Sequence, residues 1–394
     1  MRIQIIGGGV FGLSVALELR QRGHAVRVFD AGPIPHPDAS STDISKLVRA
    51  DYGADVFYTG LMEQAFPLWQ AWNERAGEEL YRQVGFLLLS EKAFSEGGFE
   101  HESYRLLSER GYTLERLDAA GIAQRFPVFA EGKYEAAYFN PKAGWAASGR
   151  VVELLARWCQ QAGVHVAAGE GMNKLLEEKG RIAGFESTSG RKHLADLTIL
   201  AAGAWTLALL PELRKRLRAV GQPVFHLLLP SEKSQFWLNM PGWCADISNT
   251  GWYGFPAQKN GILKIARHGP GILPDADSKW SIPQKEWEAF RQFLATALPG
   301  LTDVPVAATR VCRYCDSIDS DFLIDLHPNR PGLMVMSGGS GHGFKFAPVL
   351  GRIAADVVEG KANPFAQRFR WDRPLTARKE AARFNPFDTE DLKN

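Results

Sequence analysis

The feature that most constrains this chain is Gly7-x-Gly9-x-x-Gly12, set between a short apolar run, Arg2 to Ile6, and a segment of helical periodicity. Gly7 permits a tight turn, Gly9 lets the backbone approach a pyrophosphate, and Gly12 lets helix and strand pack closely. The helix N-terminus would aim N–H groups and a partial positive charge at the phosphates. Phe11, Val15 and Leu19 share one helix face, Gly23 ends it, and Val26 to Phe29 reads as a second strand closing on Asp30. An acidic side chain there can accept hydrogen bonds from both ribose hydroxyls, which favours a nucleotide without a 2′-phosphate. A glycine turn serving only helix–strand packing is the plainer alternative, and Asp30 argues against it. The fingerprint alone does not separate NAD from FAD.

With 394 residues the chain exceeds the size at which one hydrophobic core stops growing, so two domains are expected. No apolar run reaches the ~18 residues of a membrane span. The first strand begins almost at Met1, so no secretory signal is expected. The terminal Asp391-Leu392-Lys393-Asn394 matches no retention or peroxisomal address. A net charge of +2 without a basic stripe argues against nucleic acid, and Arg214 to Arg218 is expected to be the solvated face of a helix end. The four cysteines, Cys159, Cys244, Cys312 and Cys315, are too few and scattered for a disulfide scaffold and fit a reducing cytoplasm.

Farther along, a helix is expected from Val56 to Glu74 and a strand from Gly85 to Ser90. Glu91 to Pro141 is mixed in texture, with no βαβ rhythm. Val151 to Ala162 reads as a helix, Val164 to Ala167 as a strand, Gly180 to Glu186 as part of a hairpin, and Leu197 to Ala201 as a buried strand running into Ala202-Gly203-Ala204-Trp205. From Gln222 to about Ser320 aromatic-rich strands and turns dominate; Phe322 to Leu326 and Leu333 to Met336 are then strands, followed by a helix from Pro348 to about Glu359. The expected architecture is α/β (α+β overall): a Rossmann-type domain from residues 1–84, 145–220 and 321–394, and an inserted mixed or antiparallel-sheet substrate domain from 85–144 and 221–320. Trp237, Trp243 and Trp252 fall in that insertion and have no assigned place.

Two C-terminal stretches separate the cofactors. Cys312-Arg-Tyr-Cys-Asp-Ser-Ile-Asp-Ser-Asp-Phe-Leu-Ile-Asp-Leu-His-Pro328 and Gly338-Gly-Ser-Gly-His-Gly-Phe-Lys-Phe346 resemble the monomeric sarcosine oxidase family of FAD-dependent amine oxidases, within the wider D-amino acid oxidase-like group. That family includes N-methyltryptophan and pipecolate oxidases and, more distantly, fructosyl amino acid oxidases. Asp43-x-x-Lys-x-x-Arg49-x-x-Tyr-Gly53, Pro141-x-x-Gly144, Tyr253-Gly-Phe-Pro256, Lys264 and His268 extend the resemblance over nearly the whole chain.

The resemblance implies FAD as cofactor, touched by Gly7, Gly9, Val10, Phe11, Gly12, Asp30, Ala31, Ser41, Thr42, Lys46, Gly203, Trp205, Cys312, Gly341, Gly343, Phe344 and Lys345. It places a covalent flavin thioether on Cys312 rather than Cys315. A redox dithiol or half a zinc site are the other readings of Cys312-x-x-Cys315; no second CxxC exists for zinc, and no metal is expected. It makes Arg49 and Lys345 the pair that binds a substrate carboxylate, a role suited to fixed cationic donors. It places Lys264 over the flavin, where its charge would promote reaction with oxygen; an edge-strand lysine is the bland reading. His268, Tyr253 and Tyr314 would shape the cavity, and Lys46 stands where an arginine is expected in sarcosine oxidases. The implied reaction is oxidation of the C–N bond of an N-substituted (secondary amine) amino acid to an imine, with oxygen reduced to hydrogen peroxide. Fructosyl or opine-like substrates, or a dehydrogenase with another acceptor, are the alternatives, and relatives suggest a monomer.

Overall fold

The computed structural model describes residues 1–274, 280–378 and 380–384, without the side chains of residues 233 and 234. Its first unit forms as the glycine spacing requires. Strand Arg2–Ile6 leads into helix Val10–Gln21, and strand Ala25–Asp30 returns parallel to the first, Ile3 opposite Val26. Gly7 takes a positive φ of 114°, and a Cβ on it would lie 2.4 Å from the Ala201 carbonyl oxygen. A Cβ on Gly12 would lie 2.0 Å from the Gly7 carbonyl oxygen, so the helix start rests directly on the turn.

These strands are central to a six-stranded sheet ordered Leu323–Leu326, Leu333–Ser337, Leu197–Leu200, Arg2–Ile6, Ala25–Asp30, His165–Ala168. All neighbours are parallel except the first pair. Helices Val10–Gln21, Val56–Ala76, Ser148–Gln161 and Ala347–Val358 supply buried residues to one core cluster with this sheet. Leu13, Val15, Ala16 and Leu19 are fully buried, so the first helix is covered on most of its circumference and reads as a core helix.

A second sheet of eight strands is mostly antiparallel, with one parallel pair, Phe86–Ser90 beside Gly242–Ala245. Its longest members, Leu217–Leu228 and Val306–Ser317, run antiparallel in a register that sets Gln222 opposite Cys312 and Val220 opposite Tyr314. One face is covered by helix Gln284–Ala297, whose Phe290 stacks on Phe225 at 3.9 Å between centroids. The three tryptophans without an assigned place belong here: Trp237, Trp243 and Trp252 are buried in this core, and the last two stack on Phe293. A small third sheet joins Lys46–Val48, Gly144–Ala146 and Tyr81–Arg82.

Two expectations change. Arg214 to Arg218 is not a helix end: a 3-10 turn, Pro211–Lys215, passes into a strand at Leu217, because Leu217 is buried and pairs with Ser317. The stretch from 91 to 141 holds two helices, Phe99–Glu109 and Ala119–Arg125, and two strands, of which Ala136–Asn140 pairs with Phe86–Ser90 deep in the large sheet. Among the described residues no helix is long and apolar enough to cross a membrane.

Gly12→Ala forces a methyl group into the Gly7 main chain, which cannot rotate away. We expect a loss of about 1–3 kcal/mol, the usual cost of overpacking, read as a lowered thermal midpoint; an unchanged midpoint would show that the turn can yield.

Candidate active site

The glycine turn opens on a crevice with ≈ 1250 Å³ of empty space, counting its open mouth. Gly7, Gly9, Val10 and Phe11 line one part, Asp30, Ala31, Gly203 and Trp205 another, and Ser41, Lys46, Tyr314, Gly341, Gly343 and Phe344 the far part. The helix beginning at Val10 has no side-chain cap and no acid in its first turn, so its N-terminal field is left for an anion. Asp30 accepts from the backbone N–H groups of Gly8 (2.7 Å) and Gly32 (2.9 Å), one on each oxygen, which orients the carboxylate and leaves lone pairs for ribose hydroxyls. Thr42 Oγ1 is buried without a hydrogen-bond partner among the described residues. A glycine cradle, a helix start without a side-chain cap of its own and an oriented acid all suit a dinucleotide.

Gly12, Thr42, Cys312 and Lys345 do not line this crevice, whereas Cys315 does. Gly12 acts through packing. Cys312 is nearly inaccessible, but its Sγ receives a hydrogen bond from Lys46 Nζ at 3.3 Å, and Lys46 lines the crevice. Cys315 differs electrostatically. Burial pushes its thiol up to about 11, against hydrogen bonds from Ser337 and Gly338, and its side chain meets only the Ser337 hydroxyl, at 3.3 Å.

Beyond Lys46 the large sheet presents Lys264, fully buried on strand Ile262–Arg267. Its neighbour across the ladder is His226, and both reach Asp43: Lys264 Nζ lies 2.7 Å from Asp43 Oδ2, and His226 Nε2 lies 3.1 Å from Asp43 Oδ1. Lys264 also donates to the Ser45 carbonyl at 2.6 Å. Burial lowers Lys264 to about 8 against the pull of Asp43, and the nearby Lys46 charge lowers it further. Asp43 is held well below the usual carboxylate range: burial opposes this, and the Lys264 charge and the His226 bond outweigh it.

Arg49 and Lys345 converge on Tyr52. The Arg49 guanidinium lies over the Tyr52 ring at 5.6 Å and between Phe86 and Phe99, and it donates to the Asp51 carbonyl. Lys345 donates to the Tyr52 hydroxyl at 2.9 Å, and its own carbonyl accepts from Trp69 Nε1 at 2.7 Å, which pins the 3-10 turn Gly343–Phe346 that carries it. Burial, with Arg49 nearby, holds the Lys345 amine well below its ordinary range. His342 bonds Tyr52 at 3.2 Å and the Ser320 carbonyl at 3.0 Å, and burial pushes it down to about 4. The Tyr253 and Tyr314 hydroxyls bond each other beside Cys312, and Tyr314 packs on Gly341 and faces the His268 ring at 6.0 Å. The structure thus brings the distant Lys46, Cys312, Tyr253, Tyr314, His268 and Lys345 into one linked cluster.

Sequence reasoning missed several members. Tyr52 stood inside a quoted motif, and Asp43 and Ser45 lay beside Lys46, yet none was given a role. His226 and Glu380, which lies 2.9 Å from His268 Nε2, carry no local signal, because only the fold brings them in.

The family model described as DAO, FAD dependent oxidoreductase, matches residues 2–357. The chain is 30% identical over 373 residues to an N-methyl-L-tryptophan oxidase of Salmonella dublin, covering 92% of this chain and 95% of that one. Among solved structures it is similar to the fructosyl amine:oxygen oxidoreductase Amadoriase I of Aspergillus fumigatus, with a TM-score of 0.81, 25% identity, and coverage of 98% of this chain and 93% of the other. The fructosamine oxidase Amadoriase II of the same organism gives 0.82 and 26%, over the same shares.

Asp43→Ala would strand the buried Lys264 charge. We expect a loss of about 3–5 kcal/mol, as for one partner removed from a buried ion pair, measured by denaturant unfolding; a loss under ~1 kcal/mol would mean that Lys264 is neutral in the folded protein.

Proposed function

We propose that this chain, which belongs to the DAO family of FAD dependent oxidoreductases, oxidises the C–N bond of N-substituted amino acids and passes the electrons to oxygen. The observation that carries this reading is the convergence of the buried Arg49 and Lys345 on Tyr52, next to Gly343 and Phe344, which line the dinucleotide crevice. Two cations with few competing anions form a receptor for a carboxylate, and the Arg49 fork can take both oxygens. Bound FAD supplies the electron acceptor and, after reoxidation by oxygen, yields hydrogen peroxide.

The protein residues have distinct tasks. Arg49 and Lys345 hold the carboxylate and so fix where the substrate's C–H bond points. Tyr253, Tyr314 and His268 bound the chamber, and Phe86 and Phe99 exclude water around Arg49. Lys264 holds a positive charge at the face of the large sheet that carries Cys312, where it favours electron transfer to oxygen. Cys312 carries the flavin link. The Lys46 amine lies beside its sulfur and lines the crevice, whereas Cys315 bonds the Ser337 hydroxyl. Four free, buried thiols suit a reducing cytoplasm, and we take the active unit to be a monomer.

A second reading, a bulkier fructosyl-type N-substituent, is favoured by the likeness to the two Amadoriases. A peroxide assay with N-methyl, fructosyl and opine-type amino acids separates the two by the preferred substituent. Dye reduction without peroxide would refute the oxidase reading.

Two variants test the residue roles. Cys312→Ala should release yellow cofactor on acid denaturation while Cys315→Ala keeps it on the polypeptide; the opposite pattern moves the link to Cys315. Lys264→Met should slow flavin reoxidation by on the order of 10²–10³-fold, as when one preorganised donor is removed. Lys264 is charged below its pKa of about 8, so wild-type reoxidation should be fast below that pH and fall above it. The variant should show no such step, and a wild-type rate flat across this range would contradict the role.

A further inference from the structure

The C-terminal segment after the last helix is fastened to the block that follows Cys312. Arg368 bonds Asp55 and Asp321, Arg373 bonds Asp319, Arg378 bonds Asp321, and Arg383 pairs with Asp316 at 2.7 Å. These arginines recur every five residues, and most of their acids lie between Asp316 and Asp321. The segment's last described residues pack beside His268. Phe384 N–H donates to the His268 carbonyl at 3.1 Å, Arg383 Nε to the Gly269 carbonyl at 2.8 Å, and Ala382 is buried in the cluster with Phe86, Phe99 and Tyr138.

This path delivers Glu380 beside His268, within electrostatic reach of Lys345, His342 and Tyr52. Glu380 differs from the other acids here. Asp55, Asp316, Asp319 and Asp321 each meet an arginine, whereas among the described residues no lysine or arginine forms an ion pair with Glu380. Burying a carboxylate costs several kcal/mol after relaxation, and one imidazole offsets less than an arginine fork. The Glu380 carboxyl is nevertheless held below the usual carboxylate range: burial opposes this, and the His268 hydrogen bond and the Arg383 charge are among the contributions that outweigh it. The chamber therefore holds an anion short of one cation, close to two cations short of one anion. An amino acid arriving as a zwitterion supplies both.

We propose that Glu380, carried in by the arginine-fastened C-terminal segment and oriented by His268, is the specificity residue that reads the positively charged nitrogen of the substrate while Arg49 and Lys345 read its carboxylate. This inference rests on the amino-acid oxidase reading. It makes the preferred class zwitterionic rather than merely carboxylate-bearing.

The test compares two isosteres on the holoenzyme by perturbation of the flavin absorbance: trimethylglycine, whose nitrogen is permanently charged, and 3,3-dimethylbutanoate, its neutral carbon counterpart. Wild type should prefer trimethylglycine by about ten- to a hundredfold, the range of a hydrogen bond or contact to a charged group. Glu380→Gln should abolish that preference by weakening trimethylglycine alone, and Glu380→Asp should restore part of it. Equal affinities in wild type, binding of neither ligand, or equal weakening of both in Glu380→Gln overturns the proposal. The wild-type comparison stands even if a variant loses its flavin. Bleaching of the flavin by N-methyl amino acids without oxygen judges the oxidase reading separately, because it does not depend on which end of the substrate Glu380 recognises.

Discussion

The structure depends on how positive charge is buried between its two large sheets. Arg49, Lys264 and Lys345 are almost inaccessible, and Lys46 lies beside them. Removing such groups from water costs several kcal/mol each unless partners answer them. Lys264 has Asp43, which His226 steadies from the facing position on the neighbouring strand. Arg49 has the Asp51 carbonyl and three aromatic rings. Lys345 meets the Tyr52 hydroxyl and the rings of Tyr52 and Phe346, and burial pulls its affinity for a proton down. Compensation is thus fuller at Lys264 than at Lys345.

The fold places these charges by joining chain segments far apart in sequence. The parallel sheet ends at the glycine turn, where phosphates meet a helix N-terminus. The antiparallel sheet brings Lys264, Cys312 and Tyr314 to its near end through the register of strands 217–228, 262–267 and 306–317. The small sheet containing Lys46–Val48 carries the chain from Lys46 to Arg49 between them. One strand of three residues therefore sets the spacing between the group beside Cys312 and the group beside Tyr52.

Much of this was legible in the residues. The turn at Gly7 to Gly12 and the strand closing on Asp30 are local features, dictated by main-chain contacts that only glycine allows. The helices Val56–Ala76, Ser148–Gln161 and Ala347–Val358 followed from their periodicity, whereas Gln284–Ala297, in a stretch read as strands and turns, did not. Motif blocks singled out Arg49, Lys264, Cys312 and Lys345, all of which the fold buries. What escaped was non-local or sterically ordinary. Trp237, Trp243 and Trp252 had no assigned place in the sequence; they fill the core under a helix because the second sheet must cover one face. Leu217 looked like the end of a helix because its burial depends on a partner a hundred residues away, Ser317. His226 and Glu380 have no motif around them, and their place follows from strand register and from a fastened terminal segment.

The most direct test of the account is whether a carboxylate binds at the two buried basic groups. Titration of the holoenzyme with propionate, followed by the flavin absorbance, should show saturable binding that Lys345→Met and Arg49→Met each weaken about tenfold or more, the worth of a hydrogen bond to a charged group. No binding to the wild type, or the same affinity in Lys345→Met, would contradict the claim that Arg49 and Lys345 form a receptor completed by the substrate.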